Sequence, residues 1–213
     1  MQIDVISDSI CPWCYIGKRR LEQALAQRPD IHFEVLWRPF QLNPETPPGG
    51  WDRKEYLEAK FGDKEQAKGV YKMVRAAAEE EGLDFALESQ KRLPNTVNSH
   101  RLNHWAQTAG VQDAVVEGIF KKYFIDGEDI GDPEVLVSVA EEAGMEADVV
   151  RKLLEGDADR ELVLKEESVA RNMGVTGVPC FIIDKKLALV GAQEPDMLLR
   201  AIDHAAQQAA AAE

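Results

Sequence analysis

The sequence predicts an α/β fold with a large helical insertion. Three observations support this prediction: residues 2–37 show a strand–helix–strand pattern, residues 52–171 are helical, and residues 178–208 return to a hairpin and a last helix. A strand–helix–strand unit implies two parallel strands joined by a crossover, whereas a hairpin implies antiparallel strands.

The first unit consists of a strand over residues 2–7, a helix over 15–27 that stops before Pro29, and a strand over 31–37. Apolar side chains alternate in both strands and recur at helical spacing between them. The helix should therefore begin close to Cys11, with Pro12 in its first turn, where a missing N–H group has no cost.

Residues 39–51 interrupt this pattern with four prolines and a Gly-Gly pair, which indicates a linker and a domain boundary. Periodicity and capping residues then predict helices, with most charged side chains on solvated faces. Their predicted ranges are 54–61, 65–81, 96–108, 113–124, 133–144, 148–154 and 159–172. We expect one domain from residues 1–45 and 174–213 and a helical insertion domain from residues 46–173.

The overall composition excludes several classes of function. The 213 residues carry a formal net charge of −13 without any long basic run, so nucleic acid is not an expected partner. No segment approaches the length of a membrane span, and the N-terminal residues enter a strand without a signal-peptide pattern. We therefore expect a cytoplasmic protein, monomeric or homodimeric, in which a disulfide is catalytic rather than structural.

The sequence Cys11-Pro12-Trp13-Cys14 stands where the first strand meets the first helix. Unpaired backbone N–H groups and the positive end of the helix dipole favour the thiolate form of Cys11. Cys14 follows one helical turn later and is more shielded. This arrangement predicts a reversible redox couple in which Cys11 is the nucleophile and Cys14 the resolving thiol.

These cysteines have two other interpretations, a zinc site and a pair of buried structural cysteines. A zinc site needs further ligands, and the only other cysteine is Cys180. His100 and His104 lie four residues apart on one helical face but lack the glutamate of a metalloprotease motif, so no metal is expected. Asn98 and His100 are instead predicted to pack against or line the cleft above Cys11 and to contact substrate. The other interpretation, two buried structural cysteines, fits a strand–helix junction poorly.

Together, Cys11-Pro12-Trp13-Cys14, the long helical insertion and residues 174–179 (Gly-Val-Thr-Gly-Val-Pro) before a hairpin resemble the thioredoxin fold in its DsbA form. The sequence is more narrowly similar to the FrnE-like branch of DsbA-family oxidoreductases. Residues 95–101 and 191–193 also resemble that branch, so the similarity spans nearly the whole chain.

The resemblance implies a cis peptide bond before Pro179, with the backbone at Val178 facing Cys11 and pairing with substrate. Pro12 and Trp13, beside the cysteines, are further expected substrate contacts. Many relatives carry a buried acid on the first strand, where this chain has Val5. Asp4 or Asp8 could take the place of this acid, but each is interpreted first as a solvated or turn residue.

Cys180 has two interpretations. It is either a small buried apolar residue or a third thiol that modulates the redox couple.

The predicted activity is protein disulfide oxidoreductase or isomerase chemistry by mixed-disulfide exchange with a dithiol or disulfide, protein or small thiol. No cofactor is expected, with glutathione as an optional co-substrate. The similarity also extends to 2-hydroxychromene-2-carboxylate isomerases and kappa-class glutathione transferases, which typically have serine in place of Cys11. A glutathione-dependent isomerase or transferase is therefore the first alternative, and a non-enzymatic chaperone-like binding module is the second.

Overall fold

The computed structural model describes residues 1–62 and 64–210. Residues 211–213, the end of the predicted domain formed by residues 1–45 and 174–213, lie outside the description. A four-stranded sheet forms its centre, in the order β2-β1-β5-β6. The strands are β1 Gln2–Ser7, β2 Glu34–Pro39, β5 Cys180–Ile183 and β6 Leu187–Val190, with short strands β3 Trp51–Asp52 and β4 Arg92–Leu93 forming a separate ribbon. Strands β1 and β2 are parallel and the β5–β6 hairpin is antiparallel, which confirms both predicted pairings.

The first and last helices of the described chain pack on each other beside the sheet. They are α1 Pro12–Ala26 and α9 Pro195–Ala210. The segment between β2 and β5 is mainly helical. Its helices are α2 Arg53–Phe61, α3 Lys64–Glu80, α4 Val97–Thr108, α5 Gln112–Phe120, α6 Pro133–Glu142, α7 Ala147–Glu155 and α8 Arg160–Asn172, with a π-helical turn at Lys121–Ile125. The proposed domain boundaries stay predictions.

Helix α1 begins at Pro12, three residues before its predicted range, and most other helix ends differ by one or two residues. Two further differences have a visible cause. Strand β2 begins three residues later than expected, because Ile31 is held in a turn by a 3.1 Å bond from its N–H to Arg28 O, and it continues to Pro39. An edge strand tolerates this proline. The helix expected over 113–124 changes at Lys121 into the π-helical turn, where the N–H of Asp126 bonds to Lys121 O at 3.0 Å.

Buried apolar side chains from the sheet, from α1 and α9 and from the helical segment form one continuous cluster, which includes both Cys11 and Cys14. A smaller cluster, which includes Ile6, Phe40 and Cys180, lies on the other face of the sheet. The two faces follow from the alternation along β1, since Val5 belongs to the first cluster and Ile6 to the second. Within the described part of the chain, no helix is both long and apolar enough to cross a membrane.

A network of charged side chains fixes α1 against α5. The Glu117 carboxylate accepts hydrogen bonds from Tyr15 Oη at 2.8 Å and from both terminal nitrogens of Arg19. Lys18 Nζ lies 3.3 Å from the same carboxylate and also pairs with Asp113 and Glu22. Burial would raise the pKa of Glu117, but the hydrogen bonds and nearby cations lower it overall. The helix that carries the cysteines is therefore anchored directly to the helical segment.

Candidate functional site

Cys11 is the N-cap of α1, and Pro12 is the first residue of the helix. Its backbone is extended, with φ −88° and ψ 111°, and its carbonyl oxygen accepts a 3.0 Å bond from the N–H of Cys14. Proline suits this position because its fixed φ matches the helix and its missing N–H would have no partner there. The predicted strand–helix junction is confirmed at Cys11.

The two sulfur atoms have different surroundings. Cys11 is 3% exposed, and its Sγ donates a 3.6 Å hydrogen bond to the carbonyl oxygen of Val178. Cys14 is 0% exposed and lies one helical turn after Cys11, and the two are not joined by a disulfide. Burial, followed by the hydrogen bond and charge of Cys11, raises the pKa of Cys14 well above its usual value. Cys14 is therefore a neutral thiol at neutral pH. Cys11, in contrast, contacts a polar group, the Val178 carbonyl.

The loop before β5 lies close to Cys11. The Val178–Pro179 peptide bond is cis, and Pro179 O accepts a 2.7 Å bond from the N–H of Gly191. Helix α1 approaches this loop so closely that a Cβ atom at Gly17 would lie 3.0 Å from Pro179 Cγ. Arg20 donates a 2.8 Å bond to Ala192 O, in the segment after β6 that also bonds to Pro179, so α1 carries the cysteines and contacts the loop both directly and through this segment.

A cavity of about 230 Å³ opens beside Cys11. Pro12 and Trp13 line it, as predicted for substrate contacts, and other lining residues come from α2, α3, the loop before β4 and the π-helical turn. These include Arg53, Tyr71, Gln90 and Tyr123. No sequence pattern singles out these four residues, because each lies in a helical or loop segment whose charges and aromatic rings resemble an ordinary solvated or core face. No motif connects them to the cysteines.

Asp8 corrects one expectation. It is a turn residue, as one interpretation held, because its carbonyl accepts from the N–H of Cys11 at 3.0 Å. It is not solvated, however: it is 0% exposed and its Oδ2 accepts a 2.7 Å bond from the N–H of Leu42. Asp4 is also buried and pairs with Arg38 at 2.8 Å. Both carboxylates lose their hydration but gain specific donors, which allows burial.

His100 and Asn98 do not line the cavity beside Cys11. His100 is buried, with Nε2 at 3.0 Å from Phe40 O and 3.7 Å from the Asp8 carboxylate. Asn98 Oδ1 accepts a 2.9 Å bond from Arg101. Both side chains thus have structural partners, and their part in substrate binding stays a prediction.

Cys180 pairs with Ile6 across the sheet, in the cluster on the face opposite Cys14. Burial raises the pKa of its thiol. These surroundings favour its interpretation as a small buried apolar residue. Within residues 1–62 and 64–210, no group of three or more histidine, cysteine, aspartate or glutamate side chains is arranged to hold a metal ion.

The family model of the DSBA-like thioredoxin domain matches residues 2–203. A probable DsbA oxidoreductase, SCO1869 from Streptomyces coelicolor, is 34% identical, with a TM-score of 0.88 over 96% of this chain and 89% of that one.

Two more distant structures share the fold. A 2-hydroxychromene-2-carboxylate isomerase is 20% identical with a TM-score of 0.72, and each chain is covered completely. The cytosolic disulfide reductase DsbM from Pseudomonas aeruginosa, solved with GSH, is 16% identical with a TM-score of 0.68 over 97% of this chain and 100% of that one. The predicted DsbA-like thioredoxin fold is confirmed.

Proposed function

Because the chain belongs to the DSBA-like thioredoxin domain family, we propose that it is a thiol–disulfide oxidoreductase with Cys11 and Cys14 as its redox couple. One observation carries the proposal: Cys11, at the start of α1, lines a cavity, and the free thiol of Cys14 lies one helical turn further along the same helix. As the N-cap of α1, Cys11 also lies at the positive end of the helix dipole.

The proposed reaction is an exchange of bonds between sulfur atoms. Cys11 thiolate attacks one sulfur of a substrate disulfide, a mixed disulfide forms, and the other substrate half leaves as a thiolate that takes up a proton. Cys14 then loses its proton and attacks Cys11, which releases the second half as a thiol and leaves a Cys11–Cys14 disulfide. The substrate gains two electrons and the protein loses two, and the reverse sequence oxidises a dithiol substrate.

Substrate contacts follow from the surroundings of the reactive sulfur. Trp13 offers an apolar ring at the cavity, and Pro12 lies beside it. The Val178 carbonyl, which accepts from the Cys11 thiol, is available to an N–H of the substrate when Cys11 is a thiolate. We propose that Pro179 packs against the substrate from the same loop.

Three single substitutions test the roles of the cysteines. Cys11→Ser should abolish disulfide exchange, because a hydroxyl is a poor nucleophile at neutral pH. Cys14→Ala should accumulate mixed disulfides on Cys11, visible by mass spectrometry. Cys180→Ala is the matched control and should keep the activity. Activity in Cys11→Ser, or the absence of trapped species in Cys14→Ala, contradicts the assignment, and a loss in Cys180→Ala establishes a redox role for that thiol.

The direction of electron flow follows from the reduction potential of the couple. A value of roughly −270 mV indicates a reductase and one of roughly −120 mV an oxidant. Equilibration of the protein with glutathione buffers, followed by alkylation and mass analysis, gives this value. The same buffers show whether glutathione exchanges with Cys11 as a co-substrate.

The fold is shared with a 2-hydroxychromene-2-carboxylate isomerase, so a glutathione-dependent isomerase or transferase activity is the second candidate. The paired sulfurs at Cys11 and Cys14 favour redox chemistry instead. A double substitution, Cys11→Ser with Cys14→Ala, separates the two, because only the isomerase or transferase activity can survive it. The cytoplasmic location and the oligomeric state stay predictions.

A further inference from the structure

The cavity beside Cys11 contains a cation without an acidic partner. Arg53 lines the cavity, and its guanidinium donates to Tyr123 Oη at 3.2 Å and to Tyr71 Oη at 2.9 Å. Among the residues that the structure describes, no carboxylate forms an ion pair with Arg53. Glu88, whose pKa Arg53 helps to lower, is held mainly by its hydrogen bond from Arg75. A guanidinium that faces a cavity with only neutral partners is suited to bind an anion.

The two tyrosine hydroxyls add donors to the same wall. Each oxygen accepts from Arg53, so each O–H proton is left for another acceptor, and none of the described side chains takes it. Tyr123 is 2% exposed, and burial raises its pKa, which keeps the hydroxyl neutral and able to donate. The π-helical turn at Lys121–Ile125 places this ring in the wall of the cavity.

Gln90 supplies the complementary group. Its Nε2 donates to Tyr123 O at 2.8 Å, which fixes the orientation of the amide. Its Oε1 is buried and has no hydrogen-bond partner within the described residues. The Gln90 side chain is 5% exposed and lines the cavity. A buried acceptor without a donor is destabilising. A ligand with an N–H group near its carboxylate removes this cost.

We propose that Arg53, Tyr71, Tyr123 and Gln90 form a substrate-binding site for a carboxylate with a neighbouring N–H group. The substrate is then a low-molecular-weight disulfide or thiol of the amino-acid type. This inference rests on the proposed disulfide exchange, since it places the carbon skeleton of the substrate between Arg53 and Cys11. Reaction at Cys11 follows the same exchange of sulfur bonds and needs no further reactant.

Burial and cavity size favour a small substrate. Cys11 is only 3% exposed but lines the cavity of about 230 Å³, so a small molecule that enters this cavity reaches its sulfur. This volume lies just below the range of about 300–1,000 Å³ that is common for small-ligand sites. The net charge of −13 repels anions at long range, so any preference for a carboxylate must arise locally.

Four symmetric disulfides separate the two recognised groups. Cystine has carboxylates and ammonium groups, 3,3′-dithiodipropionate has only carboxylates, cystamine has only ammonium groups, and bis(2-hydroxyethyl) disulfide has neither. The measurement is the second-order rate constant for oxidation of the reduced protein, divided by the rate constant of the same disulfide with a free small thiol. We expect the order cystine, dithiodipropionate, hydroxyethyl disulfide, cystamine, from fastest to slowest.

Arg53→Gln should slow the two carboxylate substrates by about 10- to 100-fold, the usual effect of losing hydrogen bonds to a charged group, and leave hydroxyethyl disulfide nearly unchanged. Arg53→Lys should recover part of the loss, because it restores the charge without the two-pronged geometry. Lys54→Gln is the matched control: it removes the same charge from the next, exposed residue of α2 and should change all rates by less than about fivefold.

A binding measurement without redox chemistry separates this inference from the proposed function. S-methylcysteine, which cannot exchange, should shift the indole N–H signal of Trp13 in the NMR spectrum of the wild type and not of Arg53→Gln. Absence of this shift in the wild type overturns the site, as does an equal loss in Lys54→Gln. Binding without any disulfide exchange supports the site and refutes the oxidoreductase. Exchange that ignores carboxylates refutes the site alone, and dithiodipropionate reacting faster than cystine refutes the role of Gln90.

Discussion

Replacing Glu117 by glutamine tests how α1 is held against the helical segment. The carboxylate accepts from Tyr15 at 2.8 Å and from two nitrogens of Arg19, and it lies 3.3 Å from Lys18. Glutamine keeps the size but has one acceptor oxygen and no charge. Lost hydrogen bonds to charged groups cost about 1.5–3 kcal/mol, and removing one partner of a buried pair costs about 3–5 kcal/mol. Because the side chain of Glu117 is 32% exposed, the lower estimate applies, about 2 kcal/mol.

The pH dependence identifies the ionised carboxylate as the cause. The folded state lowers the pKa of Glu117, so its stabilisation is fully present above the unfolded pKa of about 4.3 and is lost as the pH falls through the lower folded value. Urea unfolding of wild type and Glu117→Gln should therefore differ by about 2 kcal/mol near pH 7 and by much less near pH 3.

Glu22→Gln is the control for this prediction. Glu22 pairs with the same Lys18 and Arg19, but its side chain is 43% exposed, so its loss should cost less than about 1 kcal/mol. A difference for Glu117→Gln that stays constant from neutral to acidic pH would refute the electrostatic explanation. Equal losses for both variants would refute the importance of burial.

Two further substitutions test local packing by thermal or urea unfolding. Gly17→Ala places a methyl group 3.0 Å from Pro179 Cγ; it should lower the free energy of unfolding by about 1 kcal/mol, net of the gain in helix propensity, and should slow disulfide exchange. Gly69→Ala, with open space around it, should instead stabilise the protein by up to about 1 kcal/mol. A change of the same sign in both variants contradicts the close contact at Gly17. Asp8→Ala leaves the N–H of Leu42 without its acceptor and should lower the free energy of unfolding by about 1–3 kcal/mol. Asp8→Asn keeps an acceptor oxygen and should lower it less. Equal losses in both variants contradict the role of Asp8 as the acceptor for Leu42.

Local sequence signals predicted those parts of the fold that local interactions determine. Pro12 and Cys11 marked the helix start, and the hairpin over residues 178–190 followed from alternation around a short polar turn. The π-helical turn was not predicted, because one inserted residue leaves the apolar periodicity of residues 113–124 almost unchanged. It nevertheless rotates Tyr123 into the cavity wall.

The environment of a side chain was harder to predict when its partner is distant in sequence. Asp8 is buried because the chain returns after β2 and brings the N–H of Leu42 to its carboxylate, 34 residues away. Arg53 and Cys11 line the same cavity although they lie 42 residues apart, which no periodicity in either segment encodes. Recognition of the two sulfur atoms was therefore possible from the sequence, whereas the residues that surround a substrate required the tertiary structure.

The proton of Cys14 limits the second step of the proposed reaction. In the mixed disulfide Cys11 no longer bears a thiol, so its hydrogen bond and charge disappear, but burial, the largest cause of the raised pKa of Cys14, remains. The polar groups at its sulfur are the Ser7 side chain and the Asp8 backbone, and neither is a base. Since only the thiolate attacks, release of the mixed disulfide should accelerate by about tenfold per pH unit between about pH 7 and pH 9. Rapid acid quenching and mass analysis give this rate, and a pH-independent rate would show that a buried base takes the proton.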